Sequence, residues 1–429
     1  MLKRWLLFFF IVAAVFIVSA CGGGGGASSS VIPGPGEDMA AKYAASDQKA
    51  AAVDKSLTAA CNSSAIALFK ELSKTSAAGD NIFISPLSVT MALSMVINGA
   101  EGDTLAGMKT ALSLGGMDLD TMNAAYKNLI ESLENADAGV ILTIANSLWI
   151  RDTFSPAIKR AFIDTLSTYF ACAPRTLDFT NPQAVAAINS WVASKTNGLI
   201  KSVIDKIDDG IVLFIINAIY FKGGWVTEFD AAATKAGTFN SPSGAVSARF
   251  MNASEKFKYY DGADFSAVRL PYGRDKIAMY IFLPKQAAGY AAFLNGFTAA
   301  GHDAAMAAMA SSQAVTVNIK MPKFKFEYGV KRLNDALKAL GMTAAFDPSA
   351  ADLSNIAANL YIAFVDHKAV IDVNEKGSEA AAVTVIGIGV TSVPVDIVNF
   401  TVDRPFLFTI RDDRTGCVLF MGKVAEPKY

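Results

Sequence analysis

The chain has 429 residues, 52% of them apolar, with 38 Lys and Arg against 39 Asp and Glu. It can bury a large core, and the balanced charge gives no general case for nucleic-acid binding. The two histidines and four cysteines include no Cys-x-x-Cys pair and no Cys/His cluster, which argues against a metal centre.

Residues 1–20 form a separate object. Lys3 and Arg4 precede thirteen uninterrupted apolar residues, Leu6–Val18, too few for the roughly 20 that span a bilayer but right for a signal-peptide core. Val18-Ser19-Ala20-Cys21 resembles the lipobox of bacterial lipoproteins, which implies a lipid on Cys21. Residues 21–53, opening with Gly22–Gly26, Ser28–Ser30, Pro33 and Pro35, are expected to be a flexible tether that holds a domain at 54–429 off a membrane. Gly22, where an aspartate would favour inner-membrane retention, points to the outer membrane or the cell surface.

From residue 54 there is no further linker or repeat, so one domain is expected. Ser85-Pro86 reads as a helix start, with serine capping and proline at the first helical position, and Leu87, Met91, Leu93 and Met95 make that helix a buried one. Ala184–Asn197 places Val185, Ile188 and Val192 on one helical face and stops at Asn197-Gly198. Ile211–Phe221 is an apolar run interrupted by Asn217, as expected of a central strand buried on both faces. Ala278–Leu283, Val315–Phe326 and Ala369–Val373 read as further strands, and Phe406–Ile410 with Cys417–Val424 as a closing hairpin. Helices dominate the first half and strands the second, which predicts an α+β fold.

No Walker A, G-x-S-x-G, H-E-x-x-H or G-x-G-x-x-G motif is present. His302 falls in an alanine-rich helix expected to be exposed, and His367, between two strands in VDHKAV, reads as a structural histidine. Cys61, Cys172 and Cys417 read as buried thiols, among which at most one bridge could form. These features argue against an enzyme and call for no cofactor.

One segment does not fit an ordinary C-terminal region. In NEKGSEAAAVTVIGIGVTSVPV (374–395), the sixteen residues after Glu379 carry no charge and alternate small and β-branched residues. Exposed strand edges are usually blunted with charge. With NIFISPLSVTMALSMVINGAEGDT (81–104), INSWVASKTNGLI (188–200), INAIYFKGGWVTEFD (216–230), RLPY (269–272) and DRPFLFTIRD (403–412), this segment makes residues 54–427 resemble a serpin.

The resemblance implies three β-sheets, eight or nine helices and an exposed reactive-centre loop. It implies a suicide inhibitor of serine proteases, possible also for cysteine proteases, in which the cut loop inserts into the central sheet while the protease is held as an acyl-enzyme. Strand insertion of a serpin loop is itself one of the standard examples of this mode. The family's spacing from Glu375 puts the reactive bond at Thr391-Ser392, with cleavage after Val390 or Ser392 as neighbouring registers. A small β-branched residue there suits an elastase-like or broad-specificity enzyme; no Arg or Lys lies between Lys376 and Arg404 to suit a trypsin-like one. By the same resemblance Glu375, Gly377, Ser378, Ala380, Ala382 and Thr384 form the hinge, and Ser85, Ser88, Asn217 and His367 the shutter beneath the sheet. Trp225 and Lys323 belong to the breach where insertion begins, and Lys323 would pair with Glu375. Partners are then the target protease and, through Cys21, a membrane; the protein is expected to be a monomer.

A heparin-type cofactor is not expected, because Ala106–Val140 offers only Lys109 and Lys127 against Asp118, Asp120, Glu131, Glu134 and Asp137. The alternative within the family is a non-inhibitory binding or chaperone module. Its mark would be charged or bulky hinge residues, and Ser378–Ala382 has none besides Glu379.

Overall fold

The structure, a computed structural model, describes residues 37–137, 139–286, 289–378 and 397–429. The chain divides into two units, 1–40 and 41–429; of the first only residues 37–40, which open a helix, are described. Ten α-helices lie among the described residues: α1 (Glu37–Ala51), α2 (Lys55–Thr75), α3 (Pro86–Ile97), α4 (Gly102–Ala111), α5 (Leu119–Glu134), α6 (Arg160–Phe170), α7 (Gln183–Lys195), α8 (Tyr290–Gly296), α9 (Ala299–Ser311) and α10 (Asn334–Ala339).

The α1 helix corrects the expected tether, which was carried to residue 53. The Gly, Ser and Pro residues end at Gly36, and an alanine-rich stretch follows in which Tyr43, Ser46 and Ala50, spaced by three and four, form one buried stripe. Ser46 Oγ donates to the Ser132 carbonyl at 2.5 Å, and Lys49 pairs with Glu131 at 2.6 Å, both on α5. This helix also takes the count one beyond the eight or nine that the resemblance implies.

Local chemistry accounts for the other helix ends. Asp54 caps α2 by accepting from Ser56 N, and Ser85 caps α3, whose Leu87, Met91 and Met95 are fully buried. The α7 helix stops as expected, with Asn197 and Gly198 both at positive φ. The exposure expected of His302 does not hold: it is 1% accessible, on a stripe of α9 with Ala305, Met306 and Met309, against the rings of Phe282 and Phe297. Alanine is small enough to let a helix bury a narrow stripe, so an alanine-rich composition does not settle which face is wet.

Fifteen strands are described: β1 (Ile82–Ile84), β2 (Val140–Arg151), β3 (Ala173–Leu177), β4 (Leu213–Gly224), β5 (Lys235–Ser241), β6 (Gly244–Asp261), β7 (Phe265–Tyr272), β8 (Ile277–Pro284), β9 (Val315–Pro322), β10 (Phe324–Arg332), β11 (Asp366–Asn374), β12 (Gly377–Ser378), β13 (Ile397–Thr401), β14 (Phe406–Asp412) and β15 (Val418–Val424). Six form one sheet in the order β10-β11-β12-β4-β2-β3. The rest follow the path β1-β15-β14-β8-β7-β6-β9-β13, with β5 also on β6. The long β6 serves three ladders: Gly244–Phe250 pair with β5, Phe250–Phe257 with β9, and Lys258–Asp261 with β7. The described strands thus fall into one nine-stranded hydrogen-bonded path and a separate six-stranded sheet, within an α+β fold.

The run Val315–Phe326 is two strands rather than one. Pro322 ends β9, Lys323 N donates to Arg249 O, and Phe324 begins β10 in the other sheet. The core between the sheets is largely aromatic, with Phe324 against Phe408 at 5.3 Å and Phe221 against Phe420 at 5.9 Å. β4 lies inside its sheet, fully paired with β2 on one side, and Asn146 stands directly opposite Asn217.

Candidate functional site

On its other side β4 meets β11 only through β12. The chain leaves β11 at Asn374, turns over Glu375 and Lys376, and places Gly377 and Ser378 between the two strands: Ser378 pairs with Val373 and Gly223, Gly377 with Asn374 and Gly224. The turn is held by Lys376 N donating to Asn374 Oδ1 at 3.0 Å. Gly377 is required there. Its φ is +149°, and a Cβ would lie 2.1 Å from the Gly223 carbonyl oxygen.

Aromatic, polar and charged contacts fix this corner. Trp225 donates its indole N–H to the Asn374 carbonyl at 2.9 Å and its backbone N–H to the Lys376 carbonyl at 3.0 Å. It stacks on Tyr272 at 4.4 Å, and the Tyr272 hydroxyl is 2.6 Å from Ser378 Oγ. Burial pushes the Tyr272 phenol far above its ordinary value, so it remains a neutral hydrogen-bonding group. Glu375 is 2.9 Å from Lys323 Nζ and accepts from Thr234 Oγ1 at 2.8 Å. Burial opposes its ionisation, but the hydrogen bonds from Lys323 and Thr234 outweigh it and hold the carboxyl below its usual range.

Below Ser378, β4 and β11 share no ladder. Between them a cavity of 510 Å³ runs from Ser378 past Ile200, Phe364 and Val370 to Asn217 and His367. Its lower end is a polar cluster. Ser85 N donates to His367 Nε2 at 3.1 Å, Ser85 Oγ to the Leu419 carbonyl at 2.9 Å, and Ser88 Oγ to the Asn217 carbonyl at 3.4 Å. Asn217 Nδ2 donates to Asn146 Oδ1 at 2.7 Å, while Asn217 Oδ1 is buried with no partner. His367 is lowered to about 4 by burial and is neutral; because Nε2 accepts a hydrogen bond, its proton sits on Nδ1.

Ser85, Ser88, Asn217 and His367 therefore meet at one end of the cavity, and Trp225, Lys323, Glu375, Gly377 and Ser378 at the other. Ala380, Ala382, Thr384, Thr391, Ser392 and Cys21 lie outside the described residues. Tyr272, Thr234 and Asn146 were not singled out from sequence. Asn146 carried the same signal as Asn217, an asparagine inside an apolar strand; Tyr272 stood inside the quoted RLPY; Thr234 carried none. Cys61, Cys172 and Cys417 are buried free thiols. Among the described residues no acidic, histidine or cysteine group is arranged to hold a metal, and no helix is long and apolar enough to cross a membrane.

A family model described as serpin (serine protease inhibitor) matches residues 59–427. An uncharacterised serpin-like protein of Thermococcus kodakarensis is 34% identical over 382 residues, covering 87% of each chain. Serine protease inhibitor 42Dd of Drosophila melanogaster is 32% identical, over 84% of this chain and 95% of its own. Among solved structures, the thermophilic serpin tengpin in its native state superposes with a TM-score of 0.77 at 31% identity, over 87% of this chain and 95% of tengpin.

Proposed function

The chain belongs to the serpin family, and on that premise we propose that it is a single-use inhibitor of serine proteases, of elastase-like or broad specificity. The observation that carries this reading is the placement of Gly377 and Ser378 as the first two rungs between β11 and β4, above an open cavity. The hinge is seated and the space it would extend into is unfilled by any described strand.

In the proposed reaction the protease's nucleophilic serine attacks the Thr391 carbonyl carbon. The C–N bond to Ser392 breaks, the nitrogen leaves as a free amine, and Thr391 remains esterified to the enzyme. The released strand continues from Ser378. Side chains alternate faces, so Ala380, Ala382, Thr384, Ile386 and Ile388 share the face of Ser378, which looks into the cavity. The series begins small, where entry needs little room, and ends aliphatic, where each burial stabilises by about 1.5–3 kcal/mol. Insertion moves the esterified enzyme the length of the sheet, and distortion of its active site leaves the ester unhydrolysed.

The protein acts as a monomer anchored to the cell envelope through a lipid on Cys21, at the outer membrane or the cell surface. Incubation with an elastase-like protease followed by a denaturing gel tests the reading: a covalent complex that survives SDS supports it. Complete turnover to nicked protein with no complex returns the chain to the non-inhibitory alternative.

A further inference from the structure

The sheet face formed by β6, β9 and β13 has two unlike sides. Val317, Ile319, Met321 and Phe400 on one side are at most 2% accessible. The opposite side is polar and open: Ser254 Oγ donates to Asn318 Oδ1 at 2.7 Å, and Asn318 Nδ2 to Asn399 Oδ1 at 3.0 Å, a ladder across all three strands. The adjoining rungs on this side add Lys256 and Lys320, and no Asp or Glu shares it along the paired stretches. Lys256 is exposed, Lys320 stands 4.8 Å over the Phe250 ring, and neither has a carboxylate partner among the described residues. Glu255 has the opposite parity on β6.

We propose that this face is a docking surface for the target protease, and that it receives an acidic rim beside the protease's cleft. The inference rests on the reading above, and chain length gives it its force. Ile397, the first residue of β13, lies six positions after Thr391. At roughly 3.4 Å per residue the chain spans at most about 20 Å. A folded protease of ordinary size has a radius of about 20 Å. An enzyme whose cleft holds Thr391 therefore brings part of its surface within reach of β13 and the strands beside it. A face whose two ammonium groups have no carboxylate partner among the described residues favours acidic surface, and such charges act mainly on the rate of encounter. The loop sequence selects by the pocket that must accept Thr391; this face selects by charge among enzymes that share that pocket.

The probe is an elastase-like protease of acidic surface, inactivated by replacing its nucleophilic serine with alanine, so that only docking is read. The Lys256→Glu, Lys320→Glu double variant is expected to associate about tenfold more slowly at low salt, with the difference closing as salt rises. Because Lys320 also stacks on Phe250, Lys256→Glu alone is the second variant, expected to show a smaller slowing in the same direction. An association rate unchanged in both variants overturns the proposal. So does salt-sensitive self-association of the parent that the substitutions abolish, which would give the face to a second copy of this chain. Covalent trapping of the active enzyme separates the two readings. Slowed docking in a protein that never traps protease keeps the surface and removes the inhibitory mechanism; unchanged docking in one that traps it does the reverse.

Discussion

At the upper end of the space between β4 and β11 the closure is backbone. Gly377 and Ser378 add rungs to both strands, and Trp225 and Tyr272 pack behind them. At the lower end no described strand is inserted, and the closure consists of Ser85, Ser88, Asn217 and His367, four residues on three separate elements. Backbone closure is specific in register and tolerates no Cβ at Gly377. Side-chain closure depends on a few hydrogen bonds and on one neutral histidine, so it can be opened one bond at a time. The upper end thus sets where a strand begins, and the lower end how readily the sheet parts to receive the rest.

The largest expected effect is at the upper end. Ser378→Arg places a charge where Ser378 is 3% accessible and bonded to Tyr272. An unpaired buried charge costs several kcal/mol even after relaxation, and every 1.4 kcal/mol or so added to the insertion barrier slows insertion about tenfold. Hydrolysis of the acyl-enzyme should then win, turning inhibitor into substrate. The ratio of covalent complex to nicked product measures this; an unchanged ratio would mean that Ser378 does not enter the sheet during trapping.

The lower end should respond to acid. An unfolded histidine takes a proton as pH falls below about 6.5, whereas folded His367 does so only near 4. The unfolded state therefore binds more protons between these values, and stability falls as pH drops through that window, by up to about 3 kcal/mol, and levels off below it. Glu375, held below the usual carboxylate range, loses its contribution only as pH falls through lower values, so the two ends separate on the pH axis. Melting midpoints between pH 7 and pH 5 should fall in the parent and much less in His367→Gln; parallel falls in both would assign the effect elsewhere.

A smaller effect sharpens the account of the upper end. Tyr272→Phe leaves the Ser378 hydroxyl buried without its partner, which costs about 1–3 kcal/mol. Ser378→Ala removes the other half, and the double variant should lose less than the sum of the singles because the two groups form one interaction. Additive losses in thermal melts would show that the 2.6 Å contact contributes nothing.

What could be read in the sequence divides along the same line. Asn217 is locally odd, an asparagine in an apolar run, whereas Glu375 and Gly377 are legible only through the family resemblance of the segment that holds them. Thr234 is ordinary in its own surroundings, and Asn146, although it is an asparagine in an apolar strand, gains its role only through register. Asn146 matters because the β2–β4 ladder sets it opposite Asn217, and Thr234 because a loop after β4 returns to Glu375. The errors have the same origin. Alanine and polar residues beyond Gly36 resemble the tether in composition, yet Tyr43 and Ser46 are buried within the larger unit. Val315–Phe326 was read through Pro322, where a missing N–H lets the chain change sheets.

The central claim is that the space below Ser378 is reserved for the chain's own loop. Intact protein and protein nicked between residues 390 and 393 by a non-target protease should be compared by thermal melting at pH 7. If several aliphatic side chains and a strand's hydrogen bonds are gained on insertion, the intact form is kinetically held, and the nicked form should melt higher by well over roughly 10 °C. Equal midpoints would contradict the account, because a cut loop that gains nothing has no strand to become.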